Sequence, residues 1–203
     1  MSNDFTWSND FNNWSKDNGL VLSNVTESPD GSNNADKIYA NTNNGNHSVF
    51  KSWSMGAGNH YTFSIYAKAV EYDYINISWF YDLIDGNQST TISLIDGSYE
   101  QSSGEGSVEV EQISNGWWRI GISSEAVDPI TTSSYIFVSP NRTMNGGALD
   151  VWTGDGSTAG IYIWGAQLEN HGNDGNARPI GMSSFIYTAG TTATRSADSV
   201  SST

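Results

Sequence analysis

The chain contains no cysteine. Disulfides, thiolate nucleophiles and cysteine-ligated metal sites are therefore ruled out together. Positive charge is scarce: 8 Lys and Arg stand against 22 Asp and Glu, a formal net charge of −14 at pH 7. A phosphate backbone needs clustered cations, so nucleic acid is excluded as a partner. Anionic lipid surfaces are disfavoured for the same reason, and acidity of this size mainly keeps an exposed protein soluble. No apolar run approaches a membrane span, and no charged-then-apolar leader marks a signal peptide. The expectation is a protein made in a cytoplasm with no membrane partner. Histidine is limited to His47, His60 and His171, with no H-E-x-x-H spacing, and no G-x-S-x-G elbow occurs. Paired carboxylates are the one open catalytic route, because a glycosidase needs only two. Asp82, Asp85, Asp96, Glu109 and Glu111 are the candidates. Acidic residues beside Gly or Asn usually cap turns, however, and those alternating with Val on strands usually face solvent. The chain reads as non-enzymatic.

What the chain has in quantity is Ser, Thr, Asn, Gly and aromatics. That is the profile of a β-sandwich with polar loops and a bulky core, and 203 residues suit one such domain. Alternating apolar and polar residues predict strands at 20–25, 37–41, 48–53, 61–69, 74–81 and 91–95, then at 107–113, 118–123, 135–139, 160–168 and 185–188. One helical turn is expected at 11–15. Asp85-Gly86, Asp96-Gly97 and Asn115-Gly116 are hairpin dipeptides whose residues accept positive φ. The predicted organisation is an N-terminal arm at 1–19, a two-sheet antiparallel sandwich at 20–190 and a polar tail at 191–203.

The most specific stretch is Val151 to Glu169, VWTGDGSTAGIYIWGAQLE. Its first half is a turn in which Asp155 can bond its own backbone; its second half is a strand. Period-two alternation puts Tyr162, Trp164, Ala166 and Leu168 on one face, with Ile161, Ile163, Gly165 and Gln167 on the other. The first set is expected to point inward, with Trp164 in the core.

This segment resembles the last core strand of a jelly-roll domain of the carbohydrate-binding-module type. Such domains recur in virion proteins of tailed bacteriophages and as appendages on bacterial extracellular proteins. The resemblance runs nearly the length of the chain: Ser8-Asn9-Asp10-Phe11 with Trp14, Pro29-Asp30-Gly31 with Ala35-Asp36-Lys37, YTFSIYAKA at 61–69, Asn115-Gly116-Trp117-Trp118-Arg119 and TAGTTATRSAD at 188–198. Two departures stand out. The family's Pro-rich stretch before the closing segment is replaced here by 172–187. Gly165 also occupies a position where calcium-binding relatives commonly carry Asp. The resemblance implies a virion accessory protein, a capsid decoration or a head or tail appendage. It would dock on phage capsid or tail proteins, as a homo-oligomer with a trimer favoured. The alternative it implies is a module that binds a host-surface or environmental polysaccharide.

The residues suggest where binding would occur. Trp and Tyr rings stack on sugar faces, and the same residues with Arg dominate protein interfaces. Alternation leaves Tyr66, Tyr74, Trp117 and Arg119 facing outward as a candidate glycan or partner surface. Phe5, Trp7, Phe11 and Trp14 crowd an N-terminal segment with more apolar surface than an arm normally exposes, which makes it the docking candidate. Asp30, Asp155 and Asp174 offer the oxygen ligands that a structural Ca²⁺ prefers, without the D-x-D-x-D-G spacing of a calcium loop. Otherwise they form Asx-turns. No other cofactor is expected.

Overall fold

The computed structural model describes residues 2–80, 88–101, 106–126, 134–145, 147, 149–173 and 181–194. In chain order the strands are β1 (Ser2–Asn3), β2 (Ser15–Asp17), β3 (Gly19–Thr26), β4 (Ala35–Ala40), β5 (Asn44–Gly45), β6 (Ser48–Trp53), β7 (His60–Ala69) and β8 (Tyr74–Phe80). They continue with β9 (Gln88–Ser93), β10 (Tyr99–Gln101), β11 (Ser107–Gln112), β12 (Trp118–Glu125), β13 (Ser134–Asn141), β14 (Trp152–Thr153), β15 (Gly160–Gly172) and β16 (Ala193–Thr194). Two six-stranded sheets form the sandwich, one ordered β10-β9-β8-β13-β6-β2 and the other β11-β12-β7-β15-β4-β3. Every named strand pair in them is antiparallel. This is the expected jelly-roll β-sandwich.

Alternation builds the core as anticipated. Tyr61, Phe63, Ile65 and Ala67 of β7 and Trp118, Ile120 and Ile122 of β12 face Ile75, Ile77 and Trp79 of β8 and Ile136 and Val138 of β13. The Asn115-Gly116 turn joins β11 to β12 with both residues at positive φ, 59° and 77°. Gln112 thereby comes into register with Trp118. At Asp96-Gly97 only the glycine takes positive φ, at 76°. Asp85-Gly86 and the predicted end of β8 at Tyr81 lie outside the described residues.

Three expectations are corrected. The first concerns β15, whose alternation breaks at Gly165. There φ is +66° and the register with β7 shifts between Trp164 and Gln167. A bulge adds one residue to one strand and so exchanges the faces beyond it. Ile161 and Ile163 enter the core before the bulge, and Ala166 and Leu168 after it. Trp164 is buried, 3% exposed, but on the outer side of the sheet, with Trp117, Ala35, Tyr66, Tyr162 and Phe185.

The second concerns the N-terminal arm. Phe5, Phe11 and Trp14 are buried members of the main core, and Trp7 packs against it half-buried. Phe5 meets Trp14, Trp53 and Phe63 at ring distances of 5.5, 5.6 and 5.9 Å. The helical turn is a 3-10 turn at Phe11–Asn13, capped by the Asp10 carboxylate accepting from Asn12 N. Phe5, Phe11 and Trp14 are thus held in the core and are not free for docking, whereas Trp7 keeps part of its ring outside it.

The third concerns 185–188, which belongs to no strand. Residues 181–188 cross the outer face of the β7-containing sheet as a strap. Beyond the strap, β16 pairs with β1, so the two ends of the described chain are held together. Residues 195–203 of the expected tail lie outside the described residues.

Candidate functional site

The four residues expected to form a binding surface do not do so. Register aligns Arg119 of β12, Tyr66 of β7 and Trp164 of β15 in one row across three strands. The Arg119 guanidinium lies 5.4 Å from the Tyr66 ring centroid, and Phe185 of the strap covers Trp164 and Tyr66 at 4.6 and 6.3 Å. Trp117 is 2% exposed and Arg119 is buried, with Nη2 donating to Ser183 O. Burial pushes the Tyr66 phenol up, against the pull of Arg119. Tyr74 sits elsewhere, on β8 of the opposite sheet. The outward direction of Tyr66, Trp117 and Arg119 was legible from alternation; the strap on Tyr66 and Arg119 and the cluster that buries Trp117 with Ala35 and Trp164 were not.

Asp30, Asp155 and Asp96 each bind the backbone N–H two residues on, as turn-formers. Asp30 accepts from Ser28 Oγ at 2.7 Å and Ser32 N at 2.8 Å. Burial tends to raise its carboxyl, but these bonds prevail and hold it below the ordinary range. Asp155 accepts from Ser157 N at 2.8 Å, and this serine, by side chain and backbone, keeps it low. Asp96 does likewise with Ser98, while Glu109 accepts from Met182 N at 3.2 Å. Asp174, Asp82 and Asp85 lie outside the described residues. Among the described residues, no group of three or more His, Asp or Glu is arranged to hold a metal.

Among the described residues, hollows open on the surface at two places of note. One, of about 480 Å³, lies between the 26–31 loop, Lys68 and the 114–117 turn, with Trp117 at its edge. The other, of about 420 Å³, has the stronger chemistry. It is lined by Trp7, Asn9, Asp10, Asn12, Ser23, Asn24, Asn34, Asp36, Tyr187 and Thr188. Three separate parts of the chain build it. The N-terminal segment supplies Trp7 to Asn12, the β3–β4 edge supplies Ser23 to Asp36, and the end of the strap supplies Tyr187 and Thr188.

Asp36 joins these parts. It is 1% exposed, and its Oδ2 accepts from Phe11 N at 3.0 Å. Its Oδ1 accepts from Asn24 N at 2.9 Å, at the irregularity where β3 leaves register with β4 between Leu22 and Thr26. One carboxylate thus fixes the 3-10 turn against the bulged strand. Burial pushes this carboxyl up to about 6, although the two backbone donors pull the other way. The strap is tied in by Thr188, whose Oγ1 donates to Phe5 O at 2.7 Å and whose N donates to Ser8 Oγ at 2.8 Å.

Tyr187 is 61% exposed between buried Ile186 and Thr188. Trp7 is half-buried at φ 61°, a left-handed backbone that a bulky side chain adopts at a cost of about 1–2 kcal/mol. Its carbonyl accepts from Trp14 Nε1 at 3.1 Å, which helps to hold that conformation. Asn9 Oδ1 is buried and unpartnered. The lining therefore presents two aromatic rings, several amides and hydroxyls, and two carboxylates, with no Lys or Arg. Sequence reasoning had singled out Trp7, but for docking. It missed Tyr187, whose only sequence signal is an aromatic next to the closing segment.

No family model and no curated protein matches the chain. Among solved structures it is similar to the N-terminal endo-1,4-β-D-xylanase 10B of Clostridium thermocellum, in its CBM22-1 and GH10 modules complexed with xylohexaose. Identity is 10% and the TM-score 0.46, over 85% of this chain and 28% of that one. At that level the similarity bears on neither activity nor ligand. The chain also spans well under half of the xylanase chain it matches.

Proposed function

We propose that the protein is a non-catalytic binding domain that holds an uncharged glycan in the Trp7–Tyr187 hollow. The observation that carries this reading is the lining itself. An exposed Tyr and a conformationally strained Trp flank a ring of Asn, Ser, Thr and Asp side chains. Aromatic rings take the apolar faces of sugars, while amides and carboxylates bond the hydroxyls. Backbone strain at a binding residue is a recurrent mark of function. A lining without cations, on a chain of net charge −14, disfavours acidic polysaccharides. A glycan array followed by calorimetry on the full chain tests the reading. Saturable binding should fall at least tenfold in Tyr187→Ala, with the melting temperature nearly unchanged because that ring is mostly in solvent. Silence across a broad array, or undiminished affinity in Tyr187→Ala, would overturn it.

A second reading, attachment to phage capsid or tail proteins, draws on a different surface. Phe50, Phe80, Tyr135 and Phe137 lie half-buried on the outer face of the β8-containing sheet, with Phe137 4.8 Å from Phe50 and 5.1 Å from Phe80. An aromatic patch of this kind suits a protein interface. Phe137→Asp should then block incorporation into particles while leaving glycan binding intact; normal incorporation would end this reading.

A further inference from the structure

Asparagine is followed by glycine at Asn18-Gly19, Asn44-Gly45, Asn115-Gly116 and Asn145-Gly146. In such a pair the glycine nitrogen, with no side chain to hinder it, reaches the asparagine Cγ whenever the amide is free to turn. The fold treats the pairs differently. Asn18 Nδ2 donates to Asp17 Oδ1 at 3.2 Å, and its Oδ1 accepts from Asn43 Nδ2 at 3.0 Å. Gly19 beside it is buried against the Ser48 backbone. Asn44 Oδ1 accepts from Thr153 Oγ1 at 3.3 Å, and both residues of that pair are laddered to β14. Asn145 Nδ2 donates to Asp150 Oδ1 at 3.1 Å. Each of these amides is held by a partner. Asn115 is not: its side chain is exposed and makes no hydrogen bond, and Gly116 is exposed as well. The pair forms the tip of the β11–β12 hairpin, beyond the last ladder pair Gln112–Trp118. Trp117 N donates across the turn to Ser114 O over a long 3.3 Å. A hairpin tip opens locally at low free energy, because few contacts are lost. Opening lets Asn115 leave its native ψ of 29°, so that Gly116 N can turn onto Cγ.

We infer that Asn115 is a self-modification site, at which deamidation places a new carboxylate on the rim of the larger hollow. Gly116 N bonds to Asn115 Cγ, and the Cγ–Nδ2 bond breaks. The proton of the attacking N–H passes through solvent to the departing nitrogen, which leaves as ammonia, and a cyclic imide remains. Water then adds to one of the two imide carbonyls and the C–N bond there breaks. Opening on one side gives aspartate; opening on the other gives isoaspartate, whose main chain is longer by a methylene. Aspartate keeps the turn, since it accepts positive φ as asparagine does. Isoaspartate takes Gln112 out of register with Trp118 and loosens the hairpin. Either product adds a negative charge to the net −14. The place matters, because Asn115 lines the hollow of about 480 Å³ together with Lys68 and Trp117. A Cβ at Gly116 would lie 3.7 Å from Lys68 Cε, and Lys68 has no ion-pair partner among the described residues. The new carboxylate therefore arises beside an unpaired ammonium. None of this depends on the glycan reading, whose hollow lies elsewhere.

The test incubates the full chain, folded, at mildly alkaline pH, with a parallel sample in concentrated urea. Peptides carrying the Asn-Gly pairs are followed by mass spectrometry, and isoaspartate by enzymatic methylation. In the folded chain Asn115 should convert several-fold faster than Asn18, Asn44 and Asn145, with isoaspartate accumulating at the same position. In urea, where no amide is held, the pairs should convert at similar rates. Equal conversion of all the pairs in the folded chain would overturn the assignment, as would an Asn115 that stays intact while another pair converts.

Discussion

Asp36 shows what one residue can do in this fold. Its carboxylate takes two backbone N–H groups from segments that have no ladder partner there, and its position in the floor of the hollow follows from that. Burial raises its folded-state value to about 6 from the ordinary 3.8. A raised value means that the folded state binds the proton more tightly. The associated stability is fully present below about 3.8 and is lost as pH rises through about 6. Roughly two pKa units correspond to about 3 kcal/mol. Asp36→Asn removes this titration but leaves one of the two N–H donors without an acceptor, a uniform cost of about 1–3 kcal/mol. Denaturant melts at several pH values should show the gap between wild type and Asp36→Asn narrowing from pH 4 to pH 6. A gap constant across that range would mean that the carboxyl is not raised in the folded protein.

At the scale of elements, the bulge in β15 decides which aromatics are core and which are surface cluster. Gly165 permits it by adopting φ +66°, and a Cβ there would meet the Tyr66 ring at 3.0 Å and Phe185 at 3.4 Å. Gly165→Ala should therefore destabilise by about 1–2 kcal/mol from backbone conformation alone, with crowding added. Because the crowding falls on Phe185, the strap should loosen as well. Hydrogen exchange at residues 182–187 would register this as faster exchange than the global stability loss explains. If the cost is only global, strap and bulge are independent. Strand alternation on β7, β8 and β12 was legible in the sequence because those strands carry no bulge of their own, so period two holds along their length. On β15 the same rule failed at Gly165, because a bulge has no compositional signature beyond a glycine among many.

For the whole molecule, the N-terminal segment is part of the sandwich. Phe5, Phe11 and Trp14 are all but fully buried, and Asn3 and Ser8 bond β15 and the strap. Burying one large aromatic contributes several kcal/mol, since Phe→Ala or Trp→Ala in a core costs about 3–5 kcal/mol. Three such residues approach the entire margin of a domain, about 5–15 kcal/mol. A chain lacking residues 1–14 should show no cooperative thermal transition by circular dichroism. A sharp melt near that of the full chain would restore the segment to the status of a separable arm.

The amino-acid sequence by itself determined the class of the molecule. Absent cysteine, scarce cations, period-two alternation and the Asn115-Gly116 turn are local facts, and they suffice for an acidic antiparallel sandwich with Phe63, Ile65, Ile120 and Ile122 inside. Tertiary structure alone decided the candidate site. The hollow joins residues as distant as Trp7 and Tyr187, and no local pattern encodes their meeting. The same holds for burial: alternation tells which way Tyr66 and Arg119 point, but whether that side is open depends on a strap far along the chain, at Ser183 and Phe185. Pairing of β1 with β16 and the Asp36 carboxylate bring these segments together, through contacts whose geometry exists only once both sheets have closed on the core.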